Sequence, residues 1–66
     1  MDLLTPRERT IVQLITEGNT NQQIALLLNL SVKTIESHRA GAMAKIGATS
    51  TAGIVRYAIK HKLVEP

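Results

Sequence analysis

The shortest connection in the chain limits its fold more than any other feature. Asn29, Leu30 and Ser31 stand between two stretches of helical periodicity. Asn29 suits the left-handed conformation that closes a helix. Ser31 suits the N-cap that opens one, because its hydroxyl accepts a backbone N–H that the first turn leaves unpaired. Only Leu30 separates the two signals, so the flanking helices must turn sharply on one another. Ala25, a small residue before the bend, lets them approach closely.

The stretch after the bend, Ser31 to Gly47, reads as a helix with one apolar and one polar edge. Ile35, Ala42 and Ile46 recur at helical spacing and face a core, with Arg39 at the margin. Lys33, Glu36, Ser37 and Ala40 occupy the other side, and Gly47 supplies the stop. Before the bend, Thr20 caps a shorter helix with Gln23 at N3, and Ile24, Ala25 and Leu28 turn inward. Thr5-Pro6-Arg7-Glu8 opens the first helix as a capping box with proline at N1. Ile11, Val12 and Ile15 form that helix's buried stripe, Glu17-Gly18 ends it, and Met1 to Leu4 is a lead-in. Ser50 caps a fourth helix with Ile54, Val55 and Ala58 on its core edge. Nothing alternates with period two over a useful length. The pattern predicts an all-α, four-helix, bundle-like single domain over residues 1–66, with winged strands absent. Its central helix-turn-helix lies at about 21–40 and its fourth helix at about 51–61.

Composition then narrows the function. Sixty-six residues without cysteine hold one small core and neither a disulfide nor a thiolate metal site. No apolar run approaches the ~20 residues that span a bilayer, and no signal-peptide pattern opens the chain, so a cytoplasmic protein without membrane contact is expected. Eight Lys and Arg against five Asp and Glu give +3, which favours a polyanionic partner. Tyr57 is the one aromatic residue, too few for the stacked platforms that hold single strands or RNA, which leaves double-stranded DNA. A helix that follows a shorter helix and a tight turn is the element that enters a major groove. An enzyme is not expected: two isolated histidines, one tyrosine and no Gly-rich phosphate loop assemble no acid–base pair. No cofactor is expected either, since no second ligand is spaced to share a metal with His38.

Five motifs in order carry a family resemblance: LTPRE at Leu4–Glu8, GNTN-x-x-IA at Gly18–Ala25, SVKTIE-x-HR at Ser31–Arg39, KIG at Lys45–Gly47 and VRYA at Val55–Ala58. The chain resembles the C-terminal DNA-binding domain of LuxR/NarL/FixJ-type bacterial regulators from about Leu3 to Val64. The resemblance implies sequence-specific binding of double-stranded DNA by the effector domain of a transcription regulator, with the third helix in the major groove. It also implies a homodimer formed through the fourth helix on paired half-sites, and action on the bacterial nucleoid. Many members carry an N-terminal receiver or sensor domain, as response regulators of two-component systems do, so this chain reads as an effector domain; short single-domain members also exist.

The resemblance assigns roles residue by residue. Lys33 and Thr34, in the first turn of the third helix, match positions that meet phosphate, where a helix N-terminus also favours anions. Glu36, Ser37 and Ala40 match positions that meet base edges; glutamate can accept from a cytosine amino group and alanine can touch a thymine methyl. This trio lacks the Arg–guanine and Asn–adenine pairs that discriminate best, so each monomer should read little sequence, with dimerisation and DNA shape supplying the rest. His38 lies beside the core or the sugar–phosphate chain, with a hydrogen-bonded structural role favoured. Arg39 either bridges to phosphate or pairs with an acid such as Glu8. Lys45 suits the C-terminal end of its helix and matches a phosphate contact. Thr20 and Asn21 open the helix that crosses the DNA backbone, while Arg7 and Arg9 are outer-phosphate candidates or plain surface charge. Gly41 should soften the third helix and bring its backbone near DNA. Ala52, Gly53, Arg56 and Ile59 form the expected dimer face. Lys62 stands where the family usually ends the fourth helix with glycine, so a frayed or extended last turn is expected. The rival reading is a helical interaction module that contacts RNA polymerase or a receiver domain through the apolar outer edge of the fourth helix.

Overall fold

The computed structural model describes residues 3–63 as four helices: α1 (Pro6–Thr16), α2 (Asn21–Leu28), α3 (Val32–Ile46) and α4 (Thr51–Lys60), with no strand among the described residues. All four expected caps form. Thr5 Oγ1 accepts from the Glu8 N–H while Glu8 Oε1 accepts from the Thr5 N–H, and Thr20 and Gln23 repeat this reciprocal arrangement. Ser31 Oγ accepts from Thr34 at 3.0 Å, and Ser50 Oγ from Gly53 at 3.3 Å. Each such cap contributes about 1 kcal/mol, a large share of what so small a domain can hold.

The core lies where the inner edges of the helices meet. Ile11 and Val12 of α1, Ile24 of α2, Ile35 of α3 and Ile54 of α4 are fully buried. α1 packs chiefly on α3 and α4, and α2 packs on α3. Ala25, Ala42 and Ala58 are also buried, so small residues line this core beside the isoleucines. Leu28 and Ile46, expected inside, are half-buried at the rim of this core, and Val55, also expected inside, is half-buried. Leu4 is more than a lead-in, because it is buried with the core at the foot of α1.

Each helix closes in the same way. Gly18, Asn29, Gly47 and Lys62 take positive φ, and the next residue donates its N–H to a carbonyl five positions back. These bonds run from Asn19 to Leu14, Leu30 to Ala25, Ala48 to Met43 and Leu63 to Ala58. Asn29, at φ 56° and ψ 46°, makes the sharp bend between α2 and α3. The fourth helix neither frays nor extends. Lys62 takes the left-handed conformation itself at φ 58°, its N–H bonds to Ile59 at 3.1 Å, and the Leu63 carbonyl is held by Gln13 Nε2 at 2.8 Å. The motif and the packing of Leu63 on the core outweigh the Cβ penalty at Lys62.

Gly41 and Gly53 also depart from expectation. A Cβ on Gly41 would stand 3.2 Å from Glu8 Oε2, so this glycine faces α1 and admits the carboxylate rather than easing an approach to DNA. A Cβ on Gly53 would stand 3.1 Å from the Ala48 Cβ. The absence of a side chain at residue 53 therefore already has a reason within the chain.

Lys62→Gly should stabilise the protein by about 1 kcal/mol, since glycine adopts the left-handed region without the Cβ clash. For a domain of this size that raises Tm by roughly 4–8 °C in thermal unfolding followed by circular dichroism; a lowered Tm would contradict the strain at this position.

Candidate nucleic-acid interface

Helical geometry divides α3 into two edges. Ile35 and Ala42 are within 1% of complete burial, whereas Lys33, Glu36, Ser37 and Ala40 are exposed along the opposite edge. Val32 joins that exposed edge at the first turn, a position the sequence reading passed over. Thr34 is half-buried, its hydroxyl 2.8 Å from Ser31 Oγ and its N–H in the cap, so it shapes the start of α3. Thr20 is exposed at the start of α2, with its oxygen engaged by the Gln23 N–H.

Three expected site residues are tied into the protein. Arg39 is half-buried; its Nη1 donates to Asn21 Oδ1 at 3.2 Å and its Nη2 donates to Thr51 Oγ1. The acid suggested for it, Glu8, is taken instead by Lys45, whose Nζ donates to Glu8 Oε1 at 2.7 Å. Thr51 did not stand out in the sequence, because a threonine following a serine cap has no distinctive spacing. The side chain of His38 is half-buried and makes no hydrogen bond among the described residues. The hydrogen-bonded structural role expected of it is therefore not seen.

Glu8 sets the electrostatics of the α1–α3 contact. Lys45, hydrogen-bonded to it, holds its carboxyl below the ordinary glutamate value; the Thr5 backbone N–H adds to this and burial opposes it. The side chain of Glu8 is only 9% exposed while that of Lys45 is 40% exposed, so the lysine leans in from the surface to neutralise a charge that α1 has carried inside.

On α4, Ala52, Arg56 and Ile59 are exposed, and Ile59 is 40% exposed despite its size. Tyr57 stacks on His61, with ring centroids 4.1 Å apart. Leu26 and Leu27 are the most exposed apolar side chains of α2, at 83% and 62%, and α2 carries no charged residue. Both lie off the inward stripe of Ile24, Ala25 and Leu28, so periodicity alone could have flagged them. No helix among the described residues is long and apolar enough to cross a membrane.

Comparison with known proteins places this geometry. Residues 2–58 match the pattern described as bacterial regulatory proteins, luxR family. The transcriptional regulatory protein MctR of Rhizobium johnstonii is 48% identical over 63 residues, which cover 96% of this chain and 29% of that protein. The oxygen regulatory protein NreC of Staphylococcus aureus is 44% identical over the same span and share. The chain thus spans under a third of the length of these relatives. Among solved structures, the Vibrio cholera VqmA–ligand–DNA complex superposes with a TM-score of 0.84 at 30% identity, over 96% of this chain and 28% of that one.

The Glu8–Lys45 pair makes stability depend on pH. A carboxyl whose value is lowered in the folded state stabilises fully above its unfolded value, about 4.3, and that stability is lost as pH falls through the lowered folded value. Glu8→Gln keeps the capping-box geometry, as Gln23 shows in α2, but removes the charge. Urea unfolding should find the variant less stable than the wild type at pH 7, with the difference shrinking towards pH 3. A difference independent of pH would contradict the pairing.

Proposed function

This chain belongs to the luxR family of bacterial regulatory proteins, helix-turn-helix DNA-binding domains of transcription regulators rather than enzymes, and from that premise we propose that it binds duplex DNA with the outer edge of α3 in the major groove. The observation that carries this reading is the division of α3 itself. Ile35 and Ala42 secure one edge in the core, and Lys33, Glu36, Ser37 and Ala40 leave the other edge exposed. The fold shared with VqmA, a protein solved with DNA, supports the same reading.

In this arrangement Glu36 accepts from a cytosine amino group, Ser37 bonds a base edge or phosphate, and Ala40 meets a thymine methyl. Lys33 and the first turn of α3 at Thr34 take one phosphate, while Thr20 and Asn21 at the start of α2 take another. His38 flanks the sugar–phosphate chain, and Lys45 offers a phosphate at the far end of α3 the ammonium N–H groups that its bond to Glu8 leaves over. Two copies pair through Ala52, Arg56 and Ile59 of α4, with Gly53 on the flank, and read half-sites about one helical turn apart. The chain spans under a third of its relatives' length, which supports a receiver or sensor domain in front of this one in the whole protein; RNA polymerase is the further partner we propose, and the bacterial nucleoid the place of action.

Selection from a random duplex pool should return a symmetric site. Binding to it should weaken steeply with salt through counterion release, and Lys33→Ala should reduce the slope of log K against log salt by about 1. An unchanged slope and affinity in that variant would count against this docking. Ile59→Glu should abolish cooperative occupancy of paired half-sites in mobility-shift titrations while sparing binding to one half-site; undiminished cooperativity would exclude the α4 interface.

A further inference from the structure

We propose that Arg39 is a positioning residue that fixes the carboxamide of Asn21 with its NH2 group outward, so that Asn21, and not Arg39, makes the contact to a DNA phosphate. The inference rests on the DNA-binding reading above and assigns one of its contacts to a particular atom. Asn21 is the first residue of α2, and Thr51 is the first residue of α4. From the middle of α3, Arg39 reaches both: Nη1 donates to Asn21 Oδ1 at 3.2 Å and Nη2 donates to Thr51 Oγ1. One planar guanidinium therefore holds two helix starts in register with the groove-facing helix.

A carboxamide has an acceptor end and a donor end. With the oxygen of Asn21 turned to Arg39, its nitrogen is directed away from that guanidinium. Flipped the other way, the same side chain would offer an oxygen to a phosphate and repel it. The N–H groups of Asn21 and Gln22 belong to the same first turn, where no carbonyl of the helix can accept them. The outward Nδ2 completes a set of donors at a helix that carries no charge of its own. Arg39 is poorly placed to serve as the phosphate ligand itself, because it is half-buried and one N–H from each terminal nitrogen fixes its fork on Asn21 and Thr51. Lysine keeps the charge but not the fork, and so cannot span both oxygens.

Salt titrations on the selected duplex separate positioning from charge. Arg39→Lys should weaken binding about tenfold, the worth of a hydrogen bond to a charged group, with the salt slope unchanged. In an Asn21→Ala background the same change should add less than about twofold, because the residue being positioned is gone. Thr51→Val, which leaves Arg39 and Asn21 in place, should reproduce part of the loss. If Arg39→Lys binds like the wild type while Arg39→Gln lowers the slope by about 0.9, Arg39 is itself a phosphate ligand and the proposal is overturned. Wild-type affinity in Thr51→Val also overturns it. Nuclear magnetic resonance of the free protein gives a readout without DNA: the terminal nitrogens of Arg39 should rotate slowly in the wild type and freely in Asn21→Ala or Thr51→Val. Free rotation in the wild type removes the clamp. Slow rotation in a protein that binds no duplex would instead refute the DNA-binding reading, and the phosphate contact with it.

Discussion

The carboxylate of Glu8 organises this small protein because it meets three demands at once. It caps the first turn of α1 through the Thr5 N–H, accepts the Lys45 ammonium from α3, and fills the space that a side chain on Gly41 would occupy. An exposed ion pair contributes about 0–1 kcal/mol. Breaking this one costs more, since Glu8 is buried and would be left without the partners that replace its lost hydration. The result is mechanical. Gly41 and Lys45 lie in the C-terminal half of α3, so α1 grips that half, and the N-terminal half with Lys33, Glu36 and Ser37 remains open.

Local chemistry made much of this fold readable in the chain. The caps at Thr5, Thr20, Ser31 and Ser50 and the left-handed closure at Asn29 each depend on a few neighbouring residues, and all of them form. The inward edges of the helices follow from spacing for the same reason, and so does the exposed edge of α3. What escaped reading is non-local. Glu8 and Lys45 meet from opposite ends of the sequence, and nothing in either motif names the other. Of the partners that charge suggested for Arg39, Glu8 is taken by Lys45, and the guanidinium bonds two uncharged oxygens brought to it by the packing of α2 and α4. Lys62 shows the reverse failure, where a residue with a poor preference for left-handed backbone accepts it because the chain must turn there to lay Leu63 on the core.

The same packing shapes the proposed interface. Recognition by Glu36, Ser37 and Ala40 is chemically weak, with one carboxylate acceptor, one hydroxyl and one methyl and no bidentate pair. Such a surface discriminates through placement more than through the strength of single contacts. Placement is what the rest of the molecule supplies: α1 grips one half of α3, the Asn29 bend sets the angle of α2, and Arg39 links the starts of α2 and α4 to the helix between them. In this account, information from the α4 face and contact with DNA pass through one guanidinium.

α3 rests one edge on the core, and in the proposed complex it presents the other to a groove. Backbone amide shifts measured by nuclear magnetic resonance on titration with a selected duplex test it most directly. The largest changes should fall at Lys33, Glu36, Ser37 and Ala40 and at Thr20 and Asn21, with smaller ones along α1. A map centred on Ile59 of α4, or on Leu26 and Leu27 of α2, with the outer edge of α3 unmoved, would contradict it.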